Sequence, residues 1–269
     1  MFSESKDMKK TANFASQNIK LNMQNQFSRT ELLVGSPAMD TLAKARVAVF
    51  GVGGVGGYVV EVLARSGIGS IDLFDKDCVD PTNINRQIHA LHSTIGRHKT
   101  EVAAERIHDI NPACTVRTHQ IFYMPDNADE TDLSQYDYVA DCIDTVTAKL
   151  ELIKRCYSLH IPLISSMGAA NKLDPTGFKV ADISKTTMDP IAKILRKKMR
   201  KLNIHHLKVV FSEEIPLKPI EDPQKSENSS PKRQRPIPAS IAFVPATAGL
   251  IIGGEIIKDL ISAAGTMRC

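Results

Sequence analysis

Tryptophan is absent from the 269-residue sequence, aromatic residues make up only 5% of it, and there are five cysteines. No two of them show the Cys-x-x-Cys spacing of a structural zinc site, and they give no disulfide framework: Cys78, Cys114, Cys142, Cys156 and Cys269. No apolar run reaches the roughly 18 residues of a membrane span. The polar start MFSESKDMKK also lacks the apolar core of a signal peptide. We therefore expect a cytoplasmic protein with no membrane span.

Strong net charge is missing as well. The formal net charge is +4, with 42% hydrophobic and 24% charged residues, which is typical of a globular protein. A small positive excess permits a polyanionic partner without requiring one. Residues 1–26 are polar and are expected to form a mobile arm. Residues 27–269 are expected to form a single domain, with a proline-rich, mobile loop at about 219–238.

A cluster of glycines follows the first apolar run of the chain. Residues 45–50 are too few for a helix and predict a buried strand. Apolar residues then recur at helical spacing, and a second buried strand ends at Asp75. In such a unit the glycines let the backbone approach a phosphate, whose charge the helix N-terminus stabilises. The glycines that fit this pattern are Gly51, Gly53, Gly54 and Gly56.

Asp75 at the end of the second strand is placed to accept hydrogen bonds from a ribose. Together with the glycine turn it predicts a mononucleotide half-site. The motif alone does not distinguish NAD from ATP, and a tight turn without a ligand gives the same pattern.

Strands and helices continue to alternate after Asp75. Further strands are predicted at 115–121, 138–144 and 162–166. This alternation predicts an α/β fold with a doubly wound, mostly parallel, Rossmann-like sheet. Asp75 and Asp144 are then expected at carboxyl ends of strands, where ligands bind in such folds.

The pattern changes after residue 172. Residues 172–183 alternate around a turn and predict an antiparallel hairpin, the start of a C-terminal antiparallel extension. A helix from Asp189 carries a dense basic face: Lys193, Arg196, Lys197, Lys198, Arg200 and Lys201. Its sign and density suit a tRNA backbone, although a solvated helix face gives the same pattern. A final apolar helix at 246–261 contains three glycines that permit close packing.

Together these motifs resemble the ubiquitin-activating-type (ThiF/MoeB-like) adenylating superfamily. The shared pattern is G-x-G-G-x-G, D-x-D, N-x-N-R-Q, a lysine, and an aspartate after the fourth strand. Beyond the glycines it falls on Asp75, Asp77, Asn83, Asn85, Arg86, Gln87, Lys99 and Asp144. The segments at 174–176, 181–186 and 189–190, together with Arg196, resemble one branch, the tRNA threonylcarbamoyladenosine dehydratases. Those enzymes use ATP to close the threonylcarbamoyl group of an adenosine next to the anticodon into a ring.

The resemblance implies ATP and Mg²⁺ as cofactors, tRNA as substrate, release of AMP and pyrophosphate, and a homodimer. It assigns the ribose to Asp75, phosphates to Asn83, Arg86 and Lys99, and magnesium to Asp144. The four glycines, Asp77, Asn85 and Gln87 complete the nucleotide site. Arg29 resembles an arginine that, in sulfur-carrier activators, reaches into the ATP site of the partner subunit. Some members carry a cysteine before the final helix, where this chain has none.

Several alternatives stay open at this point. A lone lysine or arginine is usually a solvated charge, and an aspartate after a strand is often a helix cap. The same adenylation could act on the C-terminus of a small ubiquitin-like or sulfur-carrier protein. A nucleotide-binding subunit without catalysis, for example beside a sulfur-relay protein, is a third candidate. An NAD oxidoreductase is disfavoured, because it has no need for the phosphate-binding groups at 85–87 and 99.

Overall fold

The structure, a computed structural model, describes residues 25–220 and 238–267. The arm predicted at 1–26 and the loop predicted at 219–238 therefore lie almost entirely outside the described residues. The described strands are β1 Arg46–Phe50, β2 Ser70–Phe74, β3 Thr115–His119, β4 Tyr138–Asp141, β5 Leu163–Ser166, β6 Phe178–Asp182 and β7 Lys208–Ser212. The described α-helices are α1 Ser28–Val34, α2 Ser36–Lys44, α3 Gly56–Arg65, α4 Lys99–Ile110, α5 Val146–Leu159, α6 Pro190–Arg200 and α7 Phe243–Ala263.

All seven strands belong to one sheet in the order β3-β2-β1-β4-β5-β7-β6. Every neighbouring pair is parallel except β6 and β7, which are antiparallel at the edge. The predicted doubly wound, mostly parallel fold with a C-terminal antiparallel extension is thus confirmed. The chain runs outward from β1 through β2 to β3 and then returns to place β4 on the other side of β1. This reversal is the switch point at which open α/β sheets bind ligands.

The hairpin predicted at 172–183 is wrong. Only residues 178–182 form a strand, and this strand pairs with β7, which follows it after helix α6. Lys172 buries its ammonium group against the carbonyl oxygen of Gly168 at 2.8 Å. Pro175 and Gly177 lie in a 3-10 turn that leads directly into β6.

The fourth strand is also shorter than predicted, because it ends at Asp141 and not at Asp144. The Asp141 carboxylate accepts the N–H of Ile143 at 3.1 Å and so turns the chain out of the sheet. Asp144 therefore lies in the loop between β4 and α5.

The final helix, α7, packs on α3 and closes one face of the sheet. A Cβ atom at Gly253 would lie 2.6 Å from Cβ of Val62, and one at Gly249 would lie 2.3 Å from the carbonyl oxygen of Val55. Close packing is confirmed at these two glycines but not at Gly254, where a Cβ atom would meet nothing within 4 Å. Within residues 25–220 and 238–267, no helix combines the length and apolar character that crossing a membrane requires.

Candidate active site

A cleft of about 650 Å³ opens at the carboxyl ends of the central strands. Its wall contains most of the residues that the motifs singled out: Gly51, Gly53, Gly54, Asp75, Asp77, Asn83, Arg86, Gln87, Lys99 and Asp144. The cleft spans the switch point between β1 and β4. Three predicted residues, Gly56, Asn85 and Arg29, are not part of its wall.

The glycine turn forms the floor of the cleft between β1 and α3. Gly51 has a φ of 88°, and a Cβ atom there would lie 2.8 Å from the carbonyl oxygen of Cys142. At Gly56 a Cβ atom would lie 1.8 Å from the carbonyl oxygen of Gly51. Gly56 therefore permits the turn itself, while Gly53 and Gly54 face the cleft beside the N-terminus of α3. Such a helix start favours an anionic ligand.

Asp75 follows β2 and is held by two backbone groups. Its carboxylate accepts the N–H of Val52 at 2.7 Å and the N–H of Asp77 at 2.9 Å. A carboxylate has about four acceptor positions, so two remain for a ligand hydroxyl. The carboxylate is thereby fixed against the glycine turn before any ribose arrives.

One end of the cleft is apolar and aromatic. Phe50 and Phe74 stack on its floor with ring centroids 4.1 Å apart, and Ile121, Phe122 and Tyr123 form the adjoining wall. The buried hydroxyl of Tyr123 has no hydrogen-bond partner among the described residues. A flat heterocycle can pack against such an apolar wall. Sequence reasoning missed this end, because residues 120–124 follow β3 as irregular chain without a motif.

Lys99 is only 6% exposed at the start of α4, and it donates to Asp77 at 3.1 Å. Lys76 donates to the other oxygen of the same carboxylate at 2.9 Å. Burial alone would raise the pKa of the Asp77 carboxyl, but hydrogen bonds from Lys76 and Lys99 outweigh it and hold the pKa below its usual value. The Asp77 carboxylate thus holds the ammonium groups of Lys76 and Lys99 at the cleft.

The N-x-N-R-Q segment forms a second wall. Asn83 is buried and accepts the N–H of Asp80, which leaves its side-chain NH₂ group without a partner among the described residues. Arg86 is half-buried, and its guanidinium group donates to the carbonyl oxygen of Thr82 at 2.8 Å. Gln87 lies buried beneath the glycine turn. The segment therefore presents amide and guanidinium donors to the cleft.

Asn85 was predicted to line the nucleotide site, but it is not part of the cleft wall. Its side-chain NH₂ group donates to the carbonyl oxygen of Ser240 at 3.0 Å, which ties this segment to the chain before α7. Asn85 thus connects two walls of the cleft and does not line it.

Asp144 is exposed in the loop after β4. It does not cap α5, because the N-cap position is Thr145 and no side chain caps that helix. The loop rests on a buried network that sequence reasoning missed: Lys149 donates to Asp141 at 2.9 Å and to the carbonyl oxygen of Ser166 at 2.8 Å. The helical spacing of Lys149 gave no sign that its ammonium group points into the protein.

Within the described residues, no three His, Cys, Asp or Glu side chains are grouped closely enough to hold a metal ion by themselves. Asp144 is an exposed carboxylate on the wall of the cleft, which also contains Arg86 and Lys99. Magnesium is usually held by one or two carboxylates together with phosphate oxygens, so this arrangement fits a nucleotide-bound Mg²⁺.

Cys142 is half-buried and lines the cleft. Burial raises the pKa of its thiol to about 12, so the thiol stays protonated at neutral pH and is a poor nucleophile. Cys156 is buried, and burial raises its thiol pKa to about 12 as well. Ser240, in the segment before α7, also lines the cleft.

Arg29 is exposed on α1. Phe27, just before this helix, packs beside Gly67 and Gly69 at the amino ends of the strands, opposite the cleft. Residues 27–30 therefore belong to a packed helix and its start, and not to a free arm. Arg29 therefore lies near the amino ends of the strands, whereas the cleft opens at their carboxyl ends.

Five cations of α6 and its end are exposed: Lys193, Lys197, Lys198, Arg200 and Lys201. Arg196 leaves the predicted basic face, because its guanidinium group donates to the side chain and the carbonyl oxygen of Thr186. Leu195 and Met199, on the opposite side of the helix, are buried.

This chain is similar to known proteins in both sequence and structure. A sequence model of the ThiF family matches residues 27–267. The chain is 49% identical over 243 residues to the tRNA threonylcarbamoyladenosine dehydratase of Bacillus subtilis, covering 89% of this chain and 96% of that protein. It is similar to the crystal structure of the Escherichia coli tRNA N6-threonylcarbamoyladenosine dehydratase, TcdA, in complex with AMP, with a TM-score of 0.80 and 37% identity over 89% of this chain and 95% of that one. The complex of TcdA with ATP gives a TM-score of 0.79 at 36% identity over the same shares.

Proposed function

Because the chain belongs to the ThiF family, we infer that it is an ATP-dependent tRNA threonylcarbamoyladenosine dehydratase. It adenylates the carboxylate of the threonylcarbamoyl group on an adenosine next to the anticodon, and the group then closes into a ring with release of AMP. The observation that carries this function is the 49% identity over nearly the full length of the B. subtilis dehydratase. The cleft supports it, since it contains ten of the residues that the adenylation motifs singled out.

The first step is attack of a carboxylate oxygen on the α-phosphorus of ATP while pyrophosphate leaves. Two things limit its rate: alignment of the two anions and the charge that develops on the phosphates. We propose that Asp75 binds the ribose while the glycine turn and the start of α3 receive the phosphates. Asn83, Arg86 and Lys99 donate to phosphate oxygens, and Lys99 is already held in place by Asp77.

We propose that Asp144 holds Mg²⁺ together with phosphate oxygens of ATP. The bound ion would neutralise phosphate charge that the protein's own cations leave unmatched. Asp144 is suited to this because it is exposed at the cleft and caps no helix.

Ring closure needs no nucleophile from the enzyme. A nucleophilic atom of the same threonylcarbamoyladenosine attacks the adenylated carbonyl carbon, and AMP leaves with the former carboxylate oxygen. Tethering of the two groups supplies a high effective concentration. The protonated state of Cys142 supports this route, since a thiol whose pKa is about 12 does not compete for the adenylate.

We further propose a homodimer in which Arg29 of one subunit completes the cleft of the other. In its own chain Arg29 lies on a helix at the opposite end of the sheet from the cleft. The neighbouring Leu32 and Leu33 are 64% and 76% exposed, an apolar pair that a second copy would cover. A guanidinium fork from the partner would meet the charge that develops on the triphosphate.

The exposed cations of α6 are proposed to contact the tRNA backbone. The reaction is placed in the cytoplasm, where tRNA and ATP are available, and a sulfur-relay protein is a candidate partner by resemblance alone.

The test is incubation of the protein with ATP and tRNA that carries threonylcarbamoyladenosine, followed by mass analysis of the nucleosides. We expect loss of one water from the modified nucleoside and an equal amount of AMP. Unmodified tRNA is the control and should give neither product. AMP formation that depends on the C-terminus of a small carrier protein, with the tRNA unchanged, would support the alternative activity instead.

A further inference from the structure

The cleft has a second end, away from Phe122 and the ribose site. Ala169 and Ala170, which follow β5, form one of its walls, and Pro238, Ser240 and Pro245 form the other. Strands β2 and β5 lie on opposite sides of β1 and β4 in the sheet. A nucleotide that occupies the aromatic end therefore leaves this second end for the group that it activates.

The wall at residues 238–240 belongs to no helix or strand. It is fixed by hydrogen bonds from two distant parts of the chain. Asn85 binds the carbonyl oxygen of Ser240, and Asn171 binds both backbone polar groups of Ala239. The wall is thus held from the nucleotide side by Asn85 and from the β5 side by Asn171.

Both backbone polar groups of Asn171 and its side-chain oxygen form hydrogen bonds. Its N–H donates to the carbonyl oxygen of Ala239 at 2.8 Å, and its carbonyl oxygen accepts the N–H of Leu217 at 2.7 Å. Its side-chain oxygen accepts the N–H of Ala239 at 2.7 Å. Asn171 thus pairs with both the N–H and the carbonyl oxygen of Ala239, as a residue of a neighbouring strand would.

The conformation of Asn171 is what makes this geometry possible. Its φ of 61° lies in the left-handed region, which asparagine, aspartate and glycine adopt more readily than other residues. In that conformation both its N–H and its side-chain oxygen reach Ala239, while the preceding residues Ala169 and Ala170 stay on the cleft wall. Asn171 therefore links the two walls directly.

We propose that Asn171 is a positioning residue for the tRNA substrate: it holds the wall at 238–240 against which the threonylcarbamoyladenosine is placed for adenylation. This role deepens the proposed function and rests on it. Asn171 itself touches neither ATP nor the reacting atoms. Its loss should therefore affect the use of modified tRNA and leave the binding of ATP alone.

Two substitutions separate the side chain from the backbone. Asn171→Gly keeps the left-handed backbone and removes the oxygen that accepts from Ala239. Asn171→Asp tolerates the same backbone and keeps an acceptor at that position. Asn203 offers a matched control, because it is also an asparagine in the left-handed region, with φ 58°, and lies exposed after α6 away from the cleft.

The measurements are kcat/KM for tRNA carrying threonylcarbamoyladenosine, the Kd of ATP without tRNA, and the thermal unfolding midpoint. We expect Asn171→Gly to lower kcat/KM for the tRNA about tenfold, the size of one lost hydrogen bond, with the Kd of ATP within about twofold of wild type. Asn171→Asp should keep most of the wild-type kcat/KM for the tRNA, and Asn203→Gly should have the wild-type value.

Equal kcat/KM values for Asn171→Gly and Asn203→Gly would overturn this role. An equal loss of ATP affinity would overturn it too, since Asn171 would then support the nucleotide site. Failure of Asn171→Asp to restore activity would show that the Ala239 hydrogen bond is not what matters. Wild-type protein that leaves the modified tRNA unchanged would refute the proposed function itself.

Discussion

The buried His89 makes the free energy of unfolding of this protein depend on pH. The imidazole is only 3% exposed beneath the glycine turn, next to Gly57, and neither ring nitrogen has a hydrogen-bond partner among the described residues. Burial lowers the pKa of His89 to about 4, and the nearby charges of Lys99 and Arg106 act in the same direction. The folded protein therefore keeps this ring neutral.

In the unfolded chain the ring regains a pKa near the ordinary 6.5. Between pH 6.5 and pH 4 the unfolded state thus binds more protons than the folded state, so the free energy of unfolding decreases as the pH falls through this window. For a folded pKa of about 4, the decrease between pH 7 and pH 5 is about 2 kcal/mol. Most carboxylates stay ionised above pH 5, which is why the comparison stops there.

The assay is urea unfolding at pH 7 and pH 5 of the wild type, His89→Leu and His92→Gln. We expect His89→Leu to lose about 2 kcal/mol less than the wild type between the two pH values. It should also be at least as stable at pH 7, because leucine replaces two buried nitrogens without partners. His92 is exposed, so His92→Gln should keep the wild-type dependence. The same loss in His89→Leu as in the wild type would refute the assignment to His89.

Three further predictions concern the proposed site. Asp144→Asn should lose most AMP production with an unchanged unfolding midpoint; near-normal production by the folded variant would remove its role in holding magnesium. Arg29→Ala and Asp144→Asn proteins, mixed under conditions of subunit exchange, should recover roughly a quarter of wild-type activity, because about half of the dimers are mixed and each has one intact site; no recovery despite proven exchange would exclude action across the dimer. Charge reversal at Lys197, Lys198 and Lys201 should weaken tRNA binding and flatten its salt dependence while ATP binding is unchanged; an unchanged tRNA affinity would leave these lysines as solvated charges.

The sequence predicted the nucleotide half of this protein well because its signals are local. A short apolar run, a glycine turn and an aspartate after the next strand lie within about thirty residues, and each follows from backbone geometry. Ten of the thirteen residues singled out for the site line a single cleft. Helices α3, α4 and α5 connect β1 to β2, β2 to β3 and β4 to β5, and such connections predict parallel strands, whereas β3 and β4 are joined by short 3-10 turns.

The parts that sequence reasoning missed depend on contacts between distant residues. The hairpin at 172–183 was wrong because strand alternation does not identify the partner, and β6 pairs with a strand on the far side of α6. Asn85 belongs to a nucleotide-binding motif but bonds to Ser240, 155 residues away. Lys149 and Lys172 are buried by networks whose members come from several strands and loops. No periodicity distinguishes such lysines from solvated ones.

Oxygen transfer tests the adenylation chemistry most directly. The protein is incubated with ATP and tRNA whose threonylcarbamoyl carboxylate carries ¹⁸O in both oxygens, and the released nucleotide is analysed by mass spectrometry. Attack on the α-phosphorus followed by ring closure predicts AMP that contains one ¹⁸O atom for each molecule of cyclised nucleoside. ADP with labelled inorganic phosphate, or AMP without label while the nucleoside cyclises, would contradict an adenylated carboxylate as the intermediate.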